Sequence, residues 1–148
     1  MYLDLYTLLP KAVAWAEFQS SQILRNGEPL TSTEATLAVR MGVAEPQNVR
    51  IYLVREFPRP EDPQLLAFAE HAGFFKSEMH GLTLGHGILI RDGYRANRLV
   101  SHECRHVFQY EQHGSIDAFL RVYLTQIVQF GYRDAPLEID AYANETDA

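Results

Sequence analysis

Residues 97–113 read NRLVSHECRHVFQYEQH, and this stretch predicts an α-helix that ends at Gly114. Its apolar residues recur at helical spacing and are predicted to pack inward: Val100, Cys104, Val107 and Phe108. The opposite stripe is predicted to face a cleft and holds Leu99, His102, Glu103, His106, Tyr110 and His113. One side of this helix is therefore expected to be buried, and the other to be open to a ligand.

The five residues from His102 to His106 have the pattern His-Glu-x-x-His. Residues four apart lie one helical turn above each other, so both imidazoles can bind one zinc ion. Zinc lowers the pKa of a bound water to about 7, and Glu103 lies where a carboxylate can take its proton as a general base. Cys104 is expected to face away as a small core residue, with thiolate ligation as the lesser alternative.

The most suitable third zinc ligand is Glu138, which follows after one intervening helix that can return the chain to the site. Its alternative is a solvated acid at a helix N-terminus, stabilised by the helix dipole. Asp140 and Glu145 are rival ligands, and Asp140 lies nearly opposite Glu138 on a helix. His113 misses the position of a third histidine in metzincins by one residue.

The rest of the chain predicts one α+β domain over residues 1–148, with a helical N-terminal part at residues 1–45. Residues 49–54 form the clearest strand, and residues 81–90 are strand material interrupted by glycines. Pro10 is expected in the first turn of its helix, and Thr31 and Ser115 are expected to cap theirs. The further helices are predicted at residues 9–24, 31–41, 64–72, 116–130 and about 137–144.

Composition excludes several classes of protein. The 148 residues carry a net charge of −6 without a basic run, which argues against nucleic acid as a partner. No apolar stretch approaches the length of a membrane span, so no membrane partner is expected. One cysteine and an N-terminus without signal-peptide features favour a cytoplasmic protein.

The motif HECRH, followed by a helix, a loop and the pattern Glu-x-x-Ala from Glu138, resembles the gluzincin metallopeptidases. Residues 81–109, from the glycine-containing strand to HECRHVFQ, are closer still to small bacterial domains such as the minigluzincins. The resemblance covers residues 81–145, which it implies to be the metallopeptidase-like core, whereas residues 1–45 match no family. It implies a zincin-like fold, with a small, mostly antiparallel sheet packed on the active-site helix and further C-terminal helices.

The resemblance also implies the roles of individual residues: one zinc ion held by His102, His106 and Glu138, and Glu103 as general base. Residues 84–90 would resemble the edge strand that such peptidases place above the zinc. A peptide can add to such an edge by main-chain hydrogen bonds. His86 lies in this strand, where a structural role is more typical of a lone histidine than ligation.

The chain departs from the family at residue 142, where several gluzincins have an aspartate that supports a zinc-binding histidine. Tyr142 stands there instead, and Asp134 or a backbone carbonyl is the expected substitute. Tyr142 is predicted either to donate to a developing oxyanion as a catalytic residue or to be a core tyrosine. The alternative oxyanion donors are Tyr132, Arg133 and Arg105.

These observations lead to the hypothesis of a zinc-dependent peptidase that acts on a peptide or protein substrate of undetermined sequence. The alternative is a zinc-stabilised binding or regulatory module with negligible turnover, which the small size and the missing aspartate favour. A third reading is a peptidase whose activity needs a partner or removal of the N-terminal helices.

Overall fold

The computed structural model describes residues 4–148, which form six α-helices, one short 3-10 helix and a mixed sheet of four strands. The predicted α+β class is thereby confirmed, and the first three residues of the predicted domain lie outside the described part. None of the helices in residues 4–148 has the length and apolar character needed to cross a bilayer. The elements are α1 Leu5–Asn26, β1 Glu28–Pro29, α2 Ser32–Arg40, the 3-10 helix Pro46–Asn48, β2 Arg50–Val54, α3 Pro63–Ala72, β3 Gly81–Leu84, β4 Gly87–Arg91, α4 Asn97–His113, α5 Ile116–Phe130 and α6 Pro136–Asn144.

Most helix ends lie where the capping residues predict them. Thr31 and Glu34 form a reciprocal capping box at α2, and the Ser115 side chain accepts from Ala118 N at α5. Helix α1 begins earlier than predicted because Asp4 accepts from Tyr6 N and serves as its cap. Pro10 consequently lies inside α1, and its predicted place in the first turn is wrong.

The strand order in the sheet is β1-β2-β4-β3. Strand β4 pairs parallel with β2 and antiparallel with β3, and the two-residue strand β1 pairs antiparallel with β2. Two of these three pairings are antiparallel and the longest one is parallel, so the sheet is small, as predicted, and mixed. The predicted edge strand at residues 84–90 is wrong, because β4 is enclosed by neighbours on both sides and β3 is the edge.

The glycines within residues 81–90 divide the predicted strand material into a hairpin. Gly85 and His86 form a two-residue connection between β3 and β4, and Gly85 adopts φ 70°. A left-handed glycine in the first position of such a turn matches the right-handed twist of the strands. The turn reverses the chain so that β3 lies alongside α4.

Side chains of β4 alternate between two hydrophobic clusters, one on each face of the sheet. On one face, Ile88 and Ile90 pack with Val100, Cys104 and Val107 of α4, each of which is fully buried. On the other face, residues of α1, α3, α5 and β3 surround Leu89. The sheet thus lies between α4 and the N-terminal helix α1.

Helix α4 has more buried surface than its amphipathic pattern predicts. The predicted inward stripe is buried except for Phe108, which is half-buried. The stripe predicted to face a cleft is also largely buried, with Glu103 4% and His106 6% exposed. These polar residues therefore lie in an enclosed site within the molecule, between α4 and its neighbouring elements.

Candidate metal centre

His102, His106 and Glu138 meet between α4 and the first turn of α6. His102 Nε2 lies 3.4 Å from Glu138 Oε1, and His106 Nε2 lies 3.2 Å from Glu138 Oε2. Ligands at about 2.0–2.1 Å from a tetrahedral zinc ion are roughly 3.3 Å apart, which is close to both distances. The three residues are 7%, 6% and 1% exposed, so the group is shielded from bulk water.

Helix α5 and the turn after it bring Glu138 to the two histidines. Helix α5 ends at Gly131, and α6 begins with Pro136, whose ring suits a first helical position. Gln126 on α5 accepts a hydrogen bond from Leu137 N at 2.9 Å, which ties the start of α6 to α5. Two helices and one turn thus fix a carboxylate far from the motif in sequence beside the imidazoles.

Each candidate histidine ligand has an acceptor at its other ring nitrogen. His102 Nδ1 lies 3.0 Å from Glu145 Oε2, and His106 Nδ1 lies 2.8 Å from Gln109 Oε1. Each neutral ring then donates from Nδ1 and keeps the lone pair on Nε2. Both lone pairs are directed to the side of Glu138, as metal-binding histidines require.

Gln109 is itself held by α6. Its amide nitrogen donates to Leu137 O and to Asp140 Oδ2, both at 2.9 Å, and this orients its oxygen towards His106. Arg105 donates to both carboxylate oxygens of Asp140 at 2.8 and 3.1 Å. Asp140 thus supports His106 through Gln109 and is not one of the candidate metal ligands. Arg105 is bound to Asp140 and is therefore not free to stabilise an oxyanion.

The two oxygens of Glu138 differ in their surroundings. Tyr123 Oη donates to Oε2 at 2.6 Å, which orients the carboxylate. Oε1 is buried and accepts no hydrogen bond from any residue of the described chain. A buried acceptor without a partner costs about 1–3 kcal/mol, and more when it is charged. A cation between Oε1 and the imidazoles would remove this cost, so these residues fit the predicted zinc ion.

The electrostatics of the three groups also favour a bound cation. Burial disfavours charged His106, but the Glu138 carboxylate overcomes this effect and raises the pKa of His106 to about 9. Burial likewise disfavours charged Glu138, yet His106 and His102 hold the pKa of its carboxyl well below the ordinary value. The site therefore stabilises positive charge next to a carboxylate, and a metal ion would have to bind there in competition with protons.

Glu103 is held between α4 and the edge strand β3. Thr83 Oγ1 donates to Glu103 Oε1 at 2.7 Å, and Gly81 lies against the other oxygen. A Cβ atom at residue 81 would lie 2.8 Å from Glu103 Oε2. Gly81 and Thr83 are two residues apart and share the face of β3 that meets α4. The hairpin therefore positions the predicted general base.

Glu103, His106 and Glu138 line one end of a cavity that we call the apolar chamber. It has a volume of about 90 Å³, and it lies between α1, α3, β3, α4 and α5. Apart from that polar end, its walls are mainly aromatic and aliphatic and include Trp15, Phe68, Phe74, Phe119 and Leu124. The candidate metal centre thus adjoins an apolar cavity instead of a broad surface groove.

The predicted oxyanion donors lie in different places. The Tyr142 ring packs 4.6 Å from the ring of His102 and is 54% exposed, so it is not a core residue. Tyr132 lines the apolar chamber together with Glu103 and Glu138. Arg133 is exposed, and so is Asp134, whose expected place beside a histidine is taken by Glu145.

Two other predicted alternatives have structural explanations. Cys104 is fully buried, and burial, together with the Glu103 carboxylate, raises the pKa of its thiol to about 12, so the thiol is a neutral core group. His86 pairs with Glu111 at 2.9 Å in the β3–β4 turn. With Glu45 these two could also surround a metal ion, but Glu111 already accepts from Ala44 N and Glu45 N.

Sequence reasoning missed several residues that support the site. Thr83, Gln109 and Tyr123 each contact a motif residue or Glu138, and Glu145 was considered only as a rival ligand. Gln109 had a readable signal, because it lies one turn after His106. The others depend on how β3, α5 and the residues after α6 pack against α4, which no local pattern specifies.

Comparisons with known proteins identify no relative. No protein-family model matches the chain, and no match appears among curated proteins or solved structures. Any functional assignment therefore has to rest on the side-chain geometry of the candidate metal centre.

Proposed function

We propose that this protein is a zinc-dependent peptidase with a zincin-like arrangement, in which His102, His106 and Glu138 hold one zinc ion. The observation that carries the proposal is the buried Glu138 Oε1, which has no hydrogen-bond partner and faces two imidazoles. Two nitrogen ligands and one carboxylate are typical of catalytic zinc sites, which keep a fourth position for water or substrate. The predicted cytoplasmic location stays a prediction.

When bound, zinc would supply a Lewis acid that polarises a carbonyl and makes water acidic at neutral pH. Glu103 would take the proton from the attacking water and deliver it to the leaving amine. The hydrogen bond from Thr83 holds Oε1 of this carboxylate and leaves Oε2 for the proton. Tyr123, Gln109 and Glu145 would keep the three ligands in place.

The proposed peptide substrate is supported by the position of β3. This strand is the edge of the sheet, and its Gly81–Leu84 segment passes directly beside Glu103. An extended peptide that pairs with this edge would bring its carbonyl groups next to the candidate base. The same edge provides no comparable binding for nucleic acid, whose phosphates need a basic surface.

A second candidate function is a zinc-stabilised binding or regulatory module without turnover. The low exposure of His102, His106 and Glu138 favours it, because structural zinc sites are closed to solvent. The two functions differ in whether a fourth position is open. A hydroxamate that binds the zinc-loaded protein would support the peptidase, and failure of hydroxamates to bind would support the module.

The test of the peptidase is the variant Glu103→Gln, with Glu111→Gln as a matched control on the same helix. Both variants and the parent are assayed for zinc content and for cleavage of a peptide library. We expect Glu103→Gln to keep its zinc and lose about 10²–10⁴-fold in rate, whereas Glu111→Gln stays at the parent rate. Cleavage by Glu103→Gln at the parent rate would show that Glu103 is not the base.

A further inference from the structure

The short strand β1 covers only the beginning of β2. Glu28 pairs with Ile51 and Pro29 with Arg50, and β2 then continues over residues 52–54 without a neighbouring strand on that side. On its other side, β2 pairs with β4 over its whole length. The sheet therefore has an open edge at residues 52–54, on the side of β2 that faces away from β4.

The main-chain groups of Leu53 point out of this open edge. In a parallel pair, alternate residues of a strand direct their N–H and C=O groups to the same neighbour. Arg50 N donates to His86 O on the β4 side, and Leu53 lies three positions further on, so its groups face the opposite way. No strand or loop within residues 4–148 pairs with Leu53 on that side. Its N–H and C=O groups are therefore a template for another extended chain.

The open edge lacks the features that usually prevent such pairing. Proteins protect exposed edges with charged side chains, proline or bulges. Residues 52–54 are tyrosine, leucine and valine, and both Tyr52 and Leu53 are exposed. The open edge is also distinct from the edge proposed to bind substrate, because β4 and β3 lie between it and Glu103.

A groove of about 220 Å³ lies along the open edge, on the face of the sheet that α1 covers. This edge groove is lined by polar residues of α1, by β2 and by the loop that follows β2: Gln19, Gln22, Asn26, Tyr52, Val54 and Glu56. Because Tyr52 and Val54 are two residues apart, their side chains point to the same face. A strand added at the open edge would therefore direct every second side chain into the edge groove.

The charge of the edge groove defines the side chain that fits it. Glu56 is charged, no lysine or arginine lines the groove, and Glu56 forms no ion pair with any residue in the described part of the chain. The amides of Gln19, Gln22 and Asn26 add oxygens that accept hydrogen bonds. Such a groove favours the ammonium or guanidinium group of a basic side chain and disfavours a carboxylate. The net charge of −6 also favours a basic partner.

We propose that the open edge of β2 is a docking site for an extended basic segment of another protein, which adds to the sheet antiparallel to β2 and in line with β1. The residue of this segment that lies opposite Leu53 exchanges main-chain hydrogen bonds with it. A lysine or arginine opposite Val54 enters the edge groove towards Glu56. The docking site lies outside the proposed zinc centre and does not require the metal.

The test uses two matched peptides, N-acetyl-Thr-Lys-Val-Lys-Thr-amide and the same peptide with glutamate in place of both lysines. Each is titrated into the full-length, ¹⁵N-labelled protein, and the amide signals are followed by NMR. We expect the lysine peptide to bind about tenfold more tightly and to shift the amide signal of Leu53, whose N–H gains a partner. Equal affinity of the two peptides, absence of binding, or binding that leaves the Leu53 signal unchanged would overturn the proposal.

A methyl group on the valine nitrogen of the lysine peptide tests the strand pairing by itself. This valine lies opposite Leu53 in the proposed register, and its methylated nitrogen cannot donate. We expect the affinity to fall about tenfold. An unchanged affinity would refute the addition of a strand to β2.

Two glutamates give a matched pair of variants. Glu56→Gln removes the charge of the edge groove and is expected to abolish the preference for the lysine peptide. Glu17→Gln changes an exposed residue of α1 outside the groove and is expected to keep the preference. A Glu56→Gln protein with the parent preference would contradict the proposed role of this carboxylate.

The rival occupant of the open edge is a second copy of this chain. Sedimentation of the protein alone, at the concentration of the titration, distinguishes the two, and we expect a monomer. A dimer that does not bind the lysine peptide would assign the open edge to self-association and overturn the proposal.

Discussion

Glu145 Oε2 lies 3.0 Å from Nδ1 of His102, so a residue just beyond the end of α6 orients a histidine of α4. The same carboxylate pairs with Arg98 at 3.4 Å, and the backbone of Thr146 exchanges hydrogen bonds with Ser101. The segment after α6 is therefore attached to α4 along one turn of helix. Glu145 thus occupies the place beside His102 for which the sequence predicted Asp134 or a backbone carbonyl.

The first prediction concerns this support. Glu145→Ala should lower the zinc affinity about ten- to a hundredfold, because His102 loses the partner that fixes its ring and tautomer. Asp147→Ala is the control, since Asp147 also pairs with Arg98 but makes no contact with His102. Competition with a chelator of known affinity measures both. Equal zinc affinity of the two variants would contradict the role of Glu145.

The second prediction concerns the close approach of Gly81 to the proposed base. In Gly81→Ala the new Cβ atom would lie 2.8 Å from Glu103 Oε2, so the carboxylate must move. A displacement on the order of 1 Å can cost about 10²-fold in rate. We expect cleavage to fall by roughly that factor while zinc content stays at the parent level. Thr83→Ser keeps the hydroxyl donor to Oε1 and should retain most of the rate. An unchanged rate in Gly81→Ala would show that the position of Glu103 is not critical.

The third prediction separates two candidate oxyanion donors. Tyr132 lines the apolar chamber with Glu103 and Glu138, and burial, together with these carboxylates, raises its pKa, so it keeps its proton. Tyr132→Phe should lower kcat about 10²–10³-fold with little change in KM. Tyr142, which packs on His102 and is half exposed, should tolerate the same change with a smaller loss. A larger loss of kcat in Tyr142→Phe than in Tyr132→Phe would assign the role of oxyanion donor to Tyr142.

Much of the site was predictable because its chemistry is local in sequence. His102, Glu103 and His106 share one helix, and the helical period alone brings their side chains to one region. The capping residues Thr31 and Ser115 predicted the starts of α2 and α5 for the same reason, since each contacts a backbone N–H three residues away.

The edge strand and the supporting residues were not predictable from such local patterns. Both β3 and β4 are apolar and rich in glycine, so the sequence does not say which of them pairs on two sides. That choice depends on the parallel pairing of β4 with β2, which is remote in sequence. Glu145 had no local signal either, because its contact with His102 depends on the path of the chain after α6.

Metal content by mass spectrometry tests most directly whether His102, His106 and Glu138 bind one metal ion. The parent is compared with Glu138→Gln, which keeps the shape of the side chain, and with Asp134→Asn, an exposed residue just before α6. We predict about one zinc ion per chain in the parent and in Asp134→Asn, and loss of zinc in Glu138→Gln. A parent that takes up no zinc, or a Glu138→Gln variant that holds it as tightly as the parent, would contradict the account.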